Sequence, residues 1–259
     1  MDPNVVTAQP ETGTRRHPLL FVHGAWHGAW CWSPFLGWFA DRGWESHALD
    51  LRGHGDSGND RSLRFTRIKH YVDDLGAVVD ALDNPPIVIG HSMGGLVVQR
   101  YLEDHRLPGA VLVAPDPIAG VWRATLRTMR RHPIKFLKAN LIWDLRPLIE
   151  RRDIAAGLFL PDDASDDEIE WMWQRLQGES YMAYLDMLLF VRPRPQLVHS
   201  PVGIIAGSED RIFGVKELRR TAGAYGVELS VIDGAAHDLM LGPRWEEAAQ
   251  VVADMVETF

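Results

Sequence analysis

The stretch "GHSMG" at residues 90–94 constrains this chain more than any other feature of its sequence. An apolar run at residues 87–90 predicts a buried strand, and an amphipathic run at residues 92–105 predicts a helix. Ser92 therefore stands where a strand turns directly into a helix. A serine needed only for packing requires no glycine two residues before and two residues after it. Glycines at both positions indicate a turn so tight that a side chain there would clash, with the serine hydroxyl lifted above the sheet edge.

This G-x-S-x-G pattern can present a nucleophile and part of an anion-binding site together. The helix that begins at Ser92 directs its free N–H groups toward the same point, where they favour developing negative charge. The bare pattern would arise in a random chain of this length with a chance on the order of a tenth, so the flanking strand and helix make it informative. A mere tight turn is the alternative. A phosphate-binding loop is disfavoured because G-x-x-x-x-G-K-[ST] is absent.

Strands alternate with helices on both sides of this turn. Apolar runs predict strands at residues 18–23, 45–51, 87–90, 109–114, 201–210 and 227–234. Helical spacing and end signals predict helices at residues 34–42, 66–83, 92–105, 215–225 and 243–259. This alternation predicts an α/β protein with a mostly parallel sheet that is covered by helices on both faces.

The pattern changes between residues 115 and 200, where no strand is predicted. Prolines break this segment into helical pieces, one of which opens with the capping box Ser165-x-x-Glu168. We therefore predict three parts: a disordered N-terminal arm at residues 1–17, an α/β core at residues 18–114 and 201–259, and an inserted all-helical cap at residues 115–200.

The composition restricts the possible binding partners of the protein and its possible cellular compartment. A net charge of −8 argues against nucleic acid as a partner, because phosphate binding needs clustered Lys and Arg. Cys31 is the only cysteine, so no internal disulfide can form. The sequence lacks a secretory signal pattern and a long uncharged apolar run, so no stable membrane insertion is expected. We expect a cytoplasmic protein, and the excess of Arg over Lys favours a bacterial source. A monomer and a dimer both remain open.

A serine nucleophile needs a base, and His237 is the best placed of the 11 histidines. It follows the last predicted strand on a loop of small residues, and parallel sheets gather active groups at the carboxyl ends of their strands. Asp210 follows the preceding strand and is predicted to be the acid, which gives the chain order Ser92, Asp210, His237. Glu209, its neighbour, and Asp116, which follows an earlier strand, are the alternatives for the acid.

The stretch "HGAWHGAW" at residues 23–30 is predicted to complete the site. It begins at the end of the first predicted strand, so the N–H of Ala25 faces the serine and can form an oxyanion hole with the N–H of Met93. Tryptophans of this loop and of the helical segment are predicted to form the wall of an apolar substrate pocket: Trp26, Trp30, Trp122 and Trp143.

Several other histidines lie in or near these motifs. His23, His54 and His91 are predicted to be structural hydrogen-bonding groups beside the site. His23 and His27 are four residues apart, but the glycines that follow them disfavour a helix, and H-E-x-x-H is absent. No metal site and no cofactor are predicted.

The sequence resembles the α/β-hydrolase-fold superfamily from Pro18 to its end. The matching motifs are "HGAWHGAW", "LDLRGHGDS", "GHSMGG", "AGSEDRIF" and "AAHDLM". The resemblance implies the α/β-hydrolase fold with the helical insertion as its cap. It also implies that Ser92 is the nucleophile, Asp210 the acid and His237 the base. The amides of Ala25 and Met93 would be the two oxyanion donors.

Two motifs resemble particular groups within this superfamily. "LDLRGHGDS" is similar to bacterial esterases and monoacylglycerol-lipase-like members, and "HGAWHGAWCW" is similar to plant methylesterases and hydroxynitrile lyases. The lyases tend to place Lys directly after the histidine base, whereas this chain has Asp238, which disfavours cyanohydrin chemistry. Epoxide hydrolases and haloalkane dehalogenases use an Asp nucleophile, and they are excluded because residue 92 is Ser.

The expected function is therefore that of a serine hydrolase. It would cleave carboxylic esters with a small to medium hydrophobic acyl or alcohol part through an acyl-enzyme. The alternatives are C–C bond, lactone, amide or thioester hydrolysis or perhydrolysis on the same triad, or a ligand-binding receptor that retains its triad. The expected partner is a small hydrophobic ester.

Overall fold

A mostly parallel sheet forms the centre of the protein in the computed structural model, which describes residues 3–13, 15–58 and 62–259. Within these residues the sheet has seven strands: β1 Val5–Ala8, β2 Leu19–Val22, β3 Ser46–Leu49, β4 Ile87–His91, β5 Ala110–Val113, β6 Val202–Gly207 and β7 Leu229–Ile232. Their order is β1-β3-β2-β4-β5-β6-β7. Every neighbouring pair is parallel except β1 and β3.

Helices surround this sheet. Their bounds are α1 Ser33–Ala40, α2 Ile68–Ala81, α3 Met93–Tyr101, α4 Trp122–Arg131, α5 Pro133–Ile142, α6 Arg152–Phe159, α7 Asp166–Trp173, α8 Tyr181–Leu185, α9 Val215–Tyr225 and α10 Trp245–Val256. Short 3₁₀ and π turns connect several of them. None of the helices in the described parts of the chain has the length and apolar character that a membrane span requires.

Alternate side chains of the central strands face opposite helical layers, as the period of two in a strand requires. Leu19 and Phe21 of β2 pack in one apolar cluster with α1 and α10. Leu20 and Val22 pack in a second cluster with α2, α3 and α9. All four are fully buried. The predicted fold class, a mostly parallel sheet with helices on both faces, is confirmed.

The prediction of a disordered arm at residues 1–17 is wrong for β1. Val5 pairs with Leu49 and Ala8 with Ser46 in the antiparallel ladder to β3. The Asn4 side chain also donates to Asp50 at 2.8 Å. The sequence of β1 is rich in β-branched residues that favour strands, but a run of four is too short to predict a strand, and this one is stabilised by pairing with a partner about 40 residues away.

The chain between β5 and β6 is helical. Residues 115–200 are all described and contain no strand. The predicted capping box is confirmed at the start of α7, where Glu168 N–H donates to Ser165 Oγ at 3.2 Å and Ser165 N–H donates to Glu168 Oε2 at 2.7 Å. The segment is tied back to the loop after β2, because Gln177 N–H donates to the Trp26 carbonyl oxygen at 2.9 Å.

A buried carboxylate, Glu179, joins this helical segment to the sheet. Its Oε2 accepts from His54 Nε2 at 3.0 Å, and its Oε1 accepts from the Tyr71 hydroxyl at 2.8 Å. Burial raises the pKa of Glu179, but the charge of His54 and the hydrogen bonds from His54, Ser180 and Tyr71 together outweigh burial and lower it. Burial likewise lowers the pKa of His54, but the charge of Glu179, the hydrogen bonds to Glu179 and to the Arg52 carbonyl, and the charge of Asp50 together outweigh burial and raise it. The pair is therefore an ion pair.

Replacing Glu179 with Gln should lower the free energy of unfolding by about 3–5 kcal/mol, because it leaves His54 buried without its charged partner. The His54 contribution is complete below its ordinary pKa of 6.5 and is lost as pH rises through its raised value. The Glu179 contribution is complete above its ordinary pKa of 4.5 and is lost as pH falls through its lowered value. The loss should therefore be largest between these two pH values.

Urea unfolding of the wild-type and variant proteins across this pH range measures the effect. Asp153→Asn is the control, since Asp153 pairs with Arg151 on the surface and both side chains are mostly exposed. Equal, small changes in the free energy of unfolding of the two variants would contradict the assignment of His54 and Glu179 as an ion pair.

Candidate active site

Ser92 occupies the sharp turn between β4 and α3. Its backbone φ of 51° and ψ of −119° lie in a region that residues other than glycine rarely adopt. A Cβ at Gly90 would lie 2.7 Å from the Gly94 carbonyl oxygen, and a Cβ at Gly94 would lie 2.5 Å from the Val22 carbonyl oxygen. Both glycines are therefore required because α3 lies directly against the backbones of β4 and β2.

Ser92, His237 and Asp210 form a hydrogen-bonded chain. The Ser92 hydroxyl donates to Nε2 of His237 at 3.0 Å, and Nδ1 of His237 donates to Oδ2 of Asp210 at 2.8 Å. The other oxygen of Asp210, Oδ1, accepts the backbone N–H groups of Ile212 at 2.7 Å and Phe213 at 2.8 Å. These two amides fix which carboxylate oxygen faces the imidazole.

The structure distinguishes the three carboxylates that the sequence offers as the acid. Glu209 is exposed. Asp116 is buried in the same cavity as Ser92 but, within the described residues, makes no hydrogen bond to His237. Asp210 alone of the three is hydrogen-bonded to the ring.

The environment of His237 favours its protonated form. Burial alone lowers the pKa of this ring, but the charge of Asp210 and its hydrogen bond, together with the charges of Asp238 and Asp116, outweigh burial, so the pKa is raised. The ring is almost completely buried. An imidazolium formed by taking a proton from Ser92 is thus stabilised where it forms.

Three histidines beside the site are hydrogen-bonded supports, as predicted. Nε2 of His23 accepts the N–H of Leu51 at 3.1 Å. His54 is held by Glu179, as described above. Nε2 of His91 donates to the carbonyl oxygen of His237 at 3.1 Å, which holds the backbone of the loop that carries the base.

A fourth histidine, His27, belongs to a support that sequence reasoning missed. Its Nε2 donates to Oδ2 of Asp238 at 2.9 Å, and both side chains are buried. His91, His237 and Asp238 are also close enough together to resemble a metal-ligand set. However, the two ring nitrogens of His237 are already hydrogen-bonded to Ser92 and Asp210, so this ring offers no free nitrogen to an ion.

The predicted oxyanion donors lie beside the serine. Ala25 and Met93 line the same cavity as Ser92. A Cβ at Gly24 would lie 3.0 Å from the Ser92 Cβ, so the backbone that precedes Ala25 is packed against Ser92. Met93 follows Ser92 at the start of α3, where a helix leaves backbone N–H groups without an intrahelical acceptor.

The cavity above Ser92 is small and mainly apolar. Its volume of about 90 Å³ leaves room for only a few non-hydrogen atoms of a ligand. The loop after β2 and helices α4, α5 and α6 supply most of its apolar wall, including Trp26, Val121, Ala124, Phe136, Leu158 and Phe159. The helical segment therefore covers the serine.

Trp26 lines the cavity, whereas the prediction of Trp30 as a pocket residue is wrong. Trp30 packs behind the cavity, with its ring centre 5.2 Å from that of His27 and 5.4 Å from that of Trp171. The loop after β2 places its two tryptophans on opposite sides, because Trp26 has a positive φ of 65° that turns the chain between them.

Trp122 and Trp143 were also predicted to line the pocket, and this is wrong for both. Trp122 begins α4 and is 46% exposed, because the face of α4 that meets the cavity carries Ala124 instead. Trp143 follows α5 and is 49% exposed, with its ring stacked on Tyr181 at 5.5 Å. Large apolar residues of the segment thus include several that face outward.

Comparisons with known proteins agree with this geometry. A family model described as the alpha/beta hydrolase family matches residues 19–254. Methylesterase 18 of Arabidopsis thaliana is 35% identical over 81 residues, which are 30% of each chain. Protein phosphatase methylesterase 1 of Bos taurus is 32% identical over 148 residues, which are 52% of this chain and 39% of the relative. The match thus spans less than half the length of these curated relatives.

A solved structure resembles the whole chain. A thermophilic esterase from Thermogutta terrifontis superimposes with a TM-score of 0.75, and the match covers 99% of this chain and 93% of the esterase. The sequence identity in this match is 20%. At that identity the likeness is one of fold.

Proposed function

This chain belongs to the alpha/beta hydrolase family, and from that premise we propose that it is a serine hydrolase that cleaves carboxylic esters. The hydrogen-bonded chain from Ser92 through His237 to Asp210, at the floor of an apolar cavity, is the observation that carries the proposal. The names of the curated relatives, which include methylesterases, favour ester cleavage over the other reactions that a triad can perform.

The proposed reaction has two halves. His237 takes the proton of Ser92 as the hydroxyl oxygen attacks the ester carbonyl, and the amides of Ala25 and Met93 hold the oxyanion. The tetrahedral intermediate collapses, and the alcohol leaves with the proton from His237. Water, deprotonated by the same ring, then attacks the acyl-enzyme, and the acid leaves as Ser92 regains its proton.

We propose that the segment at residues 115–200 acts as the cap of this site, over a core at residues 18–114 and 201–259. The cavity under it supports a small to medium hydrophobic ester as the substrate. We also propose that the enzyme works in the cytoplasm of a bacterium as a monomer or a dimer, without a nucleic acid partner and without stable insertion into a membrane.

The size of the cavity predicts the chain-length preference. Each buried CH₂ contributes about 0.8 kcal/mol, so kcat/KM should rise several-fold per carbon until the cavity is full and then fall. We expect an optimum acyl length of about four to ten carbons, and a cavity of about 90 Å³ favours the short end of this range. Measuring kcat/KM for p-nitrophenyl esters from about C2 to C16 tests both the function and the preference.

Ser92→Ala is the control for this series, because p-nitrophenyl esters also react slowly with ordinary surface nucleophiles. Activity that survives in this variant would contradict the proposed function. A maximum at acetate followed by a steady decline would instead keep the function and contradict the apolar cavity as the acyl site.

The pH profile should show an ascending limb. The base must be neutral His237, and its pKa is raised above the ordinary value of 6.5. Below the raised pKa the ring is protonated and cannot accept the serine proton, so kcat/KM should increase with pH through a limb above 6.5 and remain high in mild alkali. A flat profile between about pH 5 and 8, with chemistry rate-limiting, would contradict a histidine base.

A further inference from the structure

Asp116 is a buried carboxyl group that the proposed mechanism does not use. It is 2% exposed and lines the same cavity as Ser92. Its Oδ2 is fully buried and has no hydrogen-bond partner among the described residues. Buried polar atoms are normally hydrogen-bonded, so an unpaired carboxylate oxygen in a cavity wall indicates that a ligand group binds there.

Backbone hydrogen bonds hold Asp116 in place, and one of them joins it directly to Ser92. Its N–H donates to the Ser92 carbonyl oxygen at 3.2 Å, and its own carbonyl oxygen accepts from Nε2 of Gln99 at 3.2 Å. Gln99 is held in turn by the Tyr225 hydroxyl at 3.0 Å. These bonds use only the backbone of Asp116, so residues with other side chains could make them equally well.

No structural role remains for the carboxyl group. The imidazole of His237 already has Asp210 as its hydrogen-bonded acid. The two charged groups that act on Asp116 from neighbouring elements are His237 and Arg192, and neither is hydrogen-bonded to it in the described chain. Burial raises its pKa to about 7, so near neutral pH this group can both donate and accept a hydrogen bond.

We propose that Asp116 is the polar subsite of an otherwise apolar substrate pocket, and that it binds a hydroxyl group carried by the ester close to its scissile carbonyl. This inference rests on the proposed esterase function and specifies its substrate class as hydroxy esters. A hydroxyl group can satisfy the unpaired Oδ2 without bringing a charge into the cavity. An ammonium group fits less well, because Arg192 acts on the same region and His237 becomes positively charged during the reaction.

Paired esters that differ by one hydroxyl group test the proposal. For the acyl part, methyl butanoate is compared with methyl 2-hydroxybutanoate and methyl 3-hydroxybutanoate. For the alcohol part, ethyl butanoate is compared with 2-hydroxyethyl butanoate. Acid release at fixed pH gives kcat/KM for each ester. We expect the wild-type enzyme to prefer one hydroxy ester over its plain partner by roughly 10- to 100-fold, as a hydrogen bond to a carboxylate predicts.

Two variants separate the hydrogen bond from the shape of the side chain. Asp116→Leu keeps the same branched arrangement of non-hydrogen atoms, although it is larger, and has no hydrogen-bonding group, so the preference of this variant for the hydroxy ester should fall to about twofold or less. Asp116→Asn retains a donor and an acceptor and should keep most of the preference. The ratio of two esters within one variant cancels any loss of folded protein.

The outcomes distinguish this inference from the proposed function. If the wild-type enzyme cleaves none of these esters, the esterase function itself fails. If it cleaves plain and hydroxy esters equally, the hydroxyl subsite is overturned while the function stands. An equal loss on every ester in Asp116→Leu would also overturn it, because Asp116 would then act through His237. A preference for methyl 3-aminobutanoate over both the plain and the hydroxy ester would overturn the choice of a hydroxyl group.

Discussion

Replacing Ser92 or His237 with Ala should lower kcat on a short ester by roughly 10⁴- to 10⁶-fold. Each side chain holds one end of a single 3.0 Å hydrogen bond through which the proton must pass. Neither substitution leaves the other group a partner for that step. The double variant should therefore be hardly slower than either single variant, because residues that act as one unit are not additive. Steady-state kinetics on a p-nitrophenyl ester near the preferred length measures all three.

Matched controls come from exposed residues of the same types. Ser33 and His199 lie on the surface away from the cavity, so Ser33→Ala and His199→Ala should keep the wild-type rate. Losses that multiply fully in the double variant would show that Ser92 and His237 do not share a step. Circular dichroism of each variant checks that the fold is retained.

Local sequence patterns predicted the sheet and the sharp turn at Ser92 because both depend on short-range signals. About 15 consecutive residues contain the apolar run of β4, the two glycines and the amphipathic α3. The conformation of each feature can be predicted from its own residues. His237 and Asp210 were also found, since groups that follow parallel strands must meet at one edge of the sheet. The tight turn was predicted for its glycines, and the backbone contacts at Gly90 and Gly94 give the physical reason.

Contacts between distant segments could not be predicted in the same way. The pairs His54–Glu179 and His27–Asp238 join residues that are 125 and 211 positions apart. No periodicity connects such residues, so Glu179 looked like an ordinary polar residue of a helical segment. The strand β1 was missed for the same reason.

The tryptophans show a second limit of prediction from sequence, which concerns the face of a helix on which a side chain lies. Composition indicated an apolar wall above the serine, but which side of α4 faces the cavity depends on how that helix is rotated. The face with Ala124 turns inward, and Trp122, two positions earlier, turns outward. A two-residue step rotates a helix by about 200°, so these two residues lie on opposite faces and only one of them can face the cavity. Tertiary packing, not sequence, decides this rotation.

Asp210→Asn should lower kcat by about 10⁴-fold while leaving the backbone of the site intact. The N–H groups of Ile212 and Phe213 both donate to Oδ1 of Asp210, so in the variant they select the amide oxygen for that position. The amide NH₂ group must then face Nδ1 of His237 in place of Oδ2. Since that group donates, Nδ1 becomes the acceptor, and the ring proton moves to Nε2. A ring protonated at Nε2 cannot take the proton of Ser92.

The size of this loss also decides between the carboxylates that surround His237. Asp116→Asn should cost far less on the same plain ester, because Asp116 affects the ring only through its charge and at a distance. Glu209→Gln should cost least, since Glu209 is exposed. Each of the three variants replaces a carboxyl group near His237 with an amide, but only Asp210→Asn removes the hydrogen-bond acceptor of Nδ1. A larger loss in Asp116→Asn than in Asp210→Asn would move the acid to the strand end after β5, and the assignment of Asp210 would be wrong.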